Sequence, residues 1–151
     1  MKKSNIFGTS DKRSVNPNWF TGKVWMKELS GKIGSKEQDV YHVHFPKCSR
    51  TKLHSHNGSQ ILIAVSGSGS LVMYQRKGTK RSNFDIKKTQ TIKLNKGDIV
   101  YIPPKTLHTH GSTLKNVEFS HIAINVLPSK NSEYRTDWFE SDFETRAFKM
   151  I

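Results

Sequence analysis

From Trp19 onward the chain is a succession of short β-prone runs cut by glycine, proline, asparagine and serine. β-Branched and aromatic residues concentrate in Phe20–Leu29, Gln38–Phe45, Gln60–Ser66, Ser70–Gln75, Thr89–Leu94, Asp98–Ile102, Leu107–Gly111 and Val117–Val126. Turn signals recur at short intervals between them, which is the rhythm of an all-β sandwich or closed barrel. Only the tail from Trp138 to Lys149 could carry a helix, with Asp137 or Ser141 as its cap. Residues 1–16 are polar and without periodicity, so they read as a flexible arm ahead of one domain spanning 17–151.

A chain of 151 residues favours a single domain. It can bury a core without disulfide staples. The one cysteine, Cys48, rules out an internal disulfide framework and suits a reducing, cytoplasmic setting. No run is long and apolar enough to span a membrane, and Met1 to Ser10 lacks the apolar centre of an export signal. Charge is unbalanced: 25 basic against 12 acidic residues give +13. The excess lies mainly in Arg76–Lys96, read as an exposed hairpin, and in Lys2, Lys3, Lys12 and Arg13. With little aromatic interleaving to stack bases, this reads as a solvated surface rather than a nucleic-acid footprint. Gly-rich phosphate loops, nucleophile elbows and paired-cysteine zinc motifs are missing.

Seven histidines carry the chemical signal. His54 and His56 alternate, which puts both rings on one face of an extended chain. Asn57-Gly58-Ser59 turns, Gln60 opens an apolar run, and Gly67 and Gly69 end it. Gly97, Pro103 and His108 follow. A lone histidine is more often a surface or core group. The ordered set His54, His56, Gln60 and His108 instead suits a divalent ion such as Mn, Fe, Co, Ni or Zn. All four groups are neutral, so the ion would keep its full charge and act as a Lewis acid.

These residues resemble the two cupin motifs: His-x-His, an acidic residue and Gly, then Gly, Pro and His. Gln60 stands where most cupins carry Glu, Lys105 replaces a usual Gly, and Ser112 a usual Asn. Trp19–Val24, Phe45, Arg50-Thr51, Gln60–Ile63, Pro103-Pro104, His108–Gly111, His121–Ile124 and Trp138–Glu140 narrow the resemblance. They are similar to small single-domain cupins of the quercetin-dioxygenase-like group that includes manganese-dependent (R)-selective hydroxynitrile lyases, some of which also use Gln.

The resemblance implies a jelly-roll barrel, a metal held by His54, His56, Gln60 and His108, and manganese ahead of iron, nickel, zinc or cobalt. It implies His121 as general base and His110 beside the ligands. Periodicity supports His110 facing with His108, as a catalytic group or one that orients a ligand ring. It leaves open which face of the His121 strand points inward. His42 and His44 read as surface. Leu53 and Thr109 stand where that group often has tryptophan, which would widen or reshape the pocket. The implied activity is metal-dependent lyase or dioxygenase chemistry on a small hydroxy or carbonyl compound. The alternative is a non-catalytic cupin holding a small anion. A homo-oligomer, dimer or tetramer, is also implied, with the strand near Phe20–Leu29 pairing across subunits.

Overall fold

The computed structural model describes residues 1–8, 11–113 and 116–150. The β-prone runs form β1 (Phe20–Thr21), β2 (Trp25–Glu28), β3 (Gln38–Phe45), β4 (Arg50–Thr51), β5 (Leu53–His56), β6 (Gln60–Lys77), β7 (Asn83–Asn95), β8 (Ile99–Ile102), β9 (Leu107–Ser112), β10 (Phe119–Val126), β11 (Thr136–Ser141) and β12 (Arg146–Lys149). The helical pieces are single turns at Pro17–Trp19 and Ser30–Ile33. The all-β expectation holds.

Strand β6 organises the whole. Its first part pairs with β8 and β10, in a sheet ordered β8-β6-β10-β3-β2. From Ser68 onward it pairs with β7, and from Gly69 with β9, in a second sheet. The crossing point is glycine. Gly67 has φ +70°, and a Cβ there would lie 1.8 Å from the Glu118 carbonyl oxygen. The glycines expected to end a strand instead lie within a single strand that passes from one sheet to the other. Between the sheets lies the main core, centred on Phe45, Leu62, Leu71, Leu94, Ile102 and Phe119.

The second sheet also closes on itself, through the pairings β6–β9, β9–β5, β5–β11, β11–β12, β12–β7 and β7–β6. This ring encloses its own apolar cluster of Leu53, Tyr74, Phe84, Ile86, Leu107, Phe139 and Ala147. The basic hairpin β6–β7 thus has an apolar underside, and the Arg76 guanidinium sits 3.7 Å over the Phe84 ring.

The tail is a hairpin, not a helix. Phe139 and Ala147 point into the second core, and Trp138 and Phe139 pair with His54 and Leu53. The polar residue nearby makes a turn instead of a cap: Asp142 Oδ1 accepts from the N–H groups of Glu144, Thr145 and Arg146. Burial of alternate residues outweighs local helix preference. The strand expected over Phe20–Leu29 is broken at Gly22, where φ is +80°. Within the segment read as an arm, Thr9 and Ser10 lie outside the described residues, while residues 11–13 run along β2. Arg13 N–H donates to the Met26 carbonyl at 2.9 Å, and Glu28 N–H to that of Asp11 at 3.0 Å. The Arg13 guanidinium grips Asp39 at 2.7 and 2.8 Å and Glu28 at 3.0 Å.

Phe139→Ala should cost about 3–5 kcal/mol in urea unfolding, because the cavity opens in a closed ring that cannot collapse freely. A loss below about 1 kcal/mol would mean that the second core does not support the fold.

Candidate metal centre

Pairing places the histidines. His54 on β5 is registered opposite His108 on β9, and alternation adds His56 and His110 on the same inward side. Ring centroids are 4.2 Å apart for His54–His108, 5.0 Å for His54–His56, 5.5 Å for His56–His108 and 5.4 Å for His54–His110. Ring nitrogens of His54, His108 and His110 fall within 4.8 Å of one another. His110 therefore lies closer to the others than the expected role beside the site required. Gln60, at the start of β6, is 1% exposed and faces the same interior.

Hydrogen bonds select which atoms are free. The Nδ1–H of His54 donates to the Lys52 carbonyl at 2.9 Å, and that of His108 to the Thr106 carbonyl at 2.8 Å. A carbonyl can only accept, so in both rings Nε2 is the bare nitrogen. His56 Nδ1 lies 2.9 Å from Thr136 Oγ1. The Gln60 amide donates Nε2–H to Asn125 Oδ1 at 2.7 Å, and Asn125 in turn donates to the Tyr41 hydroxyl at 3.2 Å. These bonds leave His56 Nε2, His108 Nε2 and Gln60 Oε1 buried with no partner. These three buried polar atoms are left without a geometric hydrogen-bond partner, and a divalent cation fits such a donor set.

Burial also keeps the rings uncharged. Desolvation pushes His56 down to about 4 and His108 to about 3, with His56 adding to the effect at His108. Desolvation holds His54 and His110 well below the ordinary range too. At neutral pH the cluster presents lone pairs, not protons.

His121 answers the question that periodicity left open. Phe119, His121, Ala123 and Asn125 face the interior, and Ile122 and Ile124 face outward. His121 Nε2 lies 3.0 Å from His110 Nδ1. His121 itself is fully buried beside Phe45 and Phe119, with desolvation lowering it to about 3. A cavity of about 290 Å³ reaches the cluster. His54, His56 and His110 line it, whereas His121 stands behind His110. Its apolar wall includes Phe20, Phe45, Val43 and Trp138.

Leu53 and Thr109, expected to widen or reshape the pocket, do not line it. Alternation turns both away from the histidines: Leu53 fills the second core, and Thr109 Oγ1 accepts from Arg50 at 3.1 Å. His42 and His44 are likewise apart from the cluster. His42 Nδ1 lies 3.1 Å from the Ile6 carbonyl oxygen, and His44 lies 3.6 Å from Glu118. Sequence reasoning missed Asn125 and Tyr41, although a polar residue at an inward position of β10 was a readable signal. It also missed that Trp138 stacks on the His54 ring at 4.4 Å and Trp19 on Trp138 at 4.9 Å.

The family described as Cupin matches residues 39–149. A cupin-like protein of Thermotoga maritima shares 34% identity, with 91% of this chain and 90% of that one covered and a TM-score of 0.65. The polyketide cyclase RemF from Streptomyces resistomycificus is similar in fold at 14% identity, covering 94% and 89% with a TM-score of 0.65. A predicted oxalate decarboxylase of Thermotoga maritima is similar at 20% identity, covering 79% and 92% with a TM-score of 0.54. A search of curated proteins finds no match.

Neutral buried histidines give the metal-free protein a signed pH dependence. His56, His108 and His121 are held below the unfolded value of about 6.5. The unfolded chain therefore takes up protons first as pH falls. Stability is full above about 6.5 and declines below it, by up to about 1.4 kcal/mol per pH unit for each ring. Urea titrations of chelator-treated protein between pH 7.5 and pH 5 should show that decline, and a flat profile would contradict neutral burial.

Proposed function

Since the chain belongs to the cupin family, we propose that it is a metal-dependent enzyme acting on a small hydroxy or carbonyl compound. His54, His56, Gln60 and His108 hold one divalent cation, and His110, backed by His121, handles the proton. The observation that carries this reading is the gathering of His56 Nε2, His108 Nε2 and Gln60 Oε1, buried polar atoms without a geometric hydrogen-bond partner, with the tautomer-fixed His54. Manganese is the expected ion, with iron, nickel, zinc and cobalt compatible with the same donors.

When bound, the ion supplies Lewis acidity toward an oxygen of the substrate. The chain's own residues do the rest. Asn125 holds the Gln60 amide by its nitrogen, so that its oxygen faces the donor cluster. The Trp138 ring keeps His54 from turning. His110 lines the cavity while His121 takes its Nδ1 side, leaving Nε2 of His110 as the base toward substrate. In this reading His121 acts as a positioning residue behind His110.

Hydroxynitrile cleavage suits this arrangement. His110 removes the hydroxyl proton, the carbonyl forms as the carbon–cyanide bond breaks, and the proton leaves with cyanide. Oxidation by dioxygen at a redox-active ion is the other reaction compatible with this donor set.

Elemental analysis of purified protein should find about one divalent transition metal per chain. His54→Ala/His56→Ala should abolish it, and retention would rule out the site. Asn125→Ala should weaken manganese binding about 10–100-fold by calorimetry without unfolding the protein. Unchanged affinity would remove Asn125 from its orienting role. In assays with mandelonitrile and simple diketones, His110→Ala should lower turnover about 10²–10⁴-fold while keeping the metal. A loaded protein that turns over none of these substrates would favour a non-catalytic metal cupin holding a small anion.

A further inference from the structure

We propose that Tyr41 is a specificity-determining residue of the cavity: its hydroxyl donates a hydrogen bond to a neutral acceptor on the substrate, a carbonyl oxygen or a nitrile nitrogen. This role rests on the metal-enzyme reading for the fate of the compound, while the binding step needs only the cavity.

Strand alternation brings the phenol inward. Tyr41, Val43 and Phe45 are buried at alternate positions of β3, and all three line the cavity. The register sets Tyr41 opposite Ala123, between His121 and Asn125 on the inward face of β10.

Counting donors against acceptors decides what the hydroxyl can do. A phenol oxygen accepts hydrogen bonds and has one proton of its own to give. The Gln60 amide donates one proton to Asn125 Oδ1 at 2.7 Å and the other to the Tyr41 oxygen at 3.4 Å. Asn125 Nδ2–H donates to the same oxygen at 3.2 Å. Both amides therefore turn nitrogen, not oxygen, toward the phenol. Its own proton has no acceptor among the described residues. A polar hydrogen beside Val43 and Phe45 is costly to leave unpaired. The cavity is the side from which an acceptor can reach it.

The ring is held as well as its oxygen. The Arg13 guanidinium lies 4.3 Å from the ring centroid, over its face. Asp39 and Glu28 grip that guanidinium at 2.7 and 3.0 Å. Two carboxylates already match its charge, so Arg13 has none to spare for an anionic ligand. What Tyr41 offers is a neutral O–H, and a neutral acceptor suits it. Phe20, Phe45 and Trp138 supply an apolar wall for the body of the compound.

Acetophenone and ethylbenzene are alike in shape and differ in the acceptor. Calorimetry on the chelator-treated full chain should show acetophenone bound about tenfold more tightly, and Tyr41→Phe should erase that preference while leaving ethylbenzene affinity unchanged. A residue that only braces the barrel would weaken both probes alike, and that outcome overturns the proposal. The carbonyl stretch of acetophenone bound to wild type should lie at lower frequency than in an apolar solvent, a reading that needs no variant. An unshifted band overturns the proposal, as does wild-type protein that binds neither probe. Turnover by manganese-loaded protein that binds both probes equally would remove the Tyr41 donor and keep the enzyme. A preference lost in Tyr41→Phe, without turnover of any substrate, would keep the donor and remove the enzyme.

Discussion

A group of bare lone pairs buried inside a barrel is the condition around which the rest of this molecule is arranged. Nitrogen and oxygen acceptors are costly to strip of water unless something completes them. Here the surrounding bonds do more than tolerate that cost. The Lys52 and Thr106 carbonyls and Asn125 each engage the far atom of a side chain and so commit the near atom to the centre. Each carbonyl belongs to the residue two before its histidine, just ahead of strand β5 or β9, so the segment leading into each strand supplies two of the three anchors. The donor set is neutral throughout, which leaves the charge of any bound cation undiminished.

The second apolar core changes the meaning of the basic segment. From sequence, Arg76–Lys96 reads as a cationic hairpin on the surface. In the fold it is one wall of a closed ring of strands whose interior holds Phe84 and Ile86, with Arg76 laid across an aromatic face. Much of its charge lies on the outer side of an element held by packing. The ring includes β5 and β9, the two strands that carry the histidines. Its packing therefore bears directly on the spacing of His54 and His108.

Fold class and the interior histidines were legible because both follow short-range rules. Alternation put His54 with His56 and His108 with His110, and turn residues marked the strand ends. What escaped depended on distant partners. Gly67 reads as a terminator until the Glu118 carbonyl approaches too closely for a side chain. The tail reads as helical until Phe139 and Ala147 find the second core. Leu53 and Thr109 invite comparison with pocket residues, although the alternation that turns the histidines in turns these two out. The inward face of β10 could be assigned only by its neighbours, β3 and β6.

The pairing of β11 with β5 has a consequence for the order of events during synthesis. Thr136, beside His56, and Trp138, against His54, come from a hairpin that is translated after all four donor residues. A nascent chain can carry all four donor residues outside the ribosome while the two side chains that steady their rings are still unmade. Contacts so far apart in sequence form late and slowly. Any ion captured in that geometry would therefore wait until β11 has paired with β5.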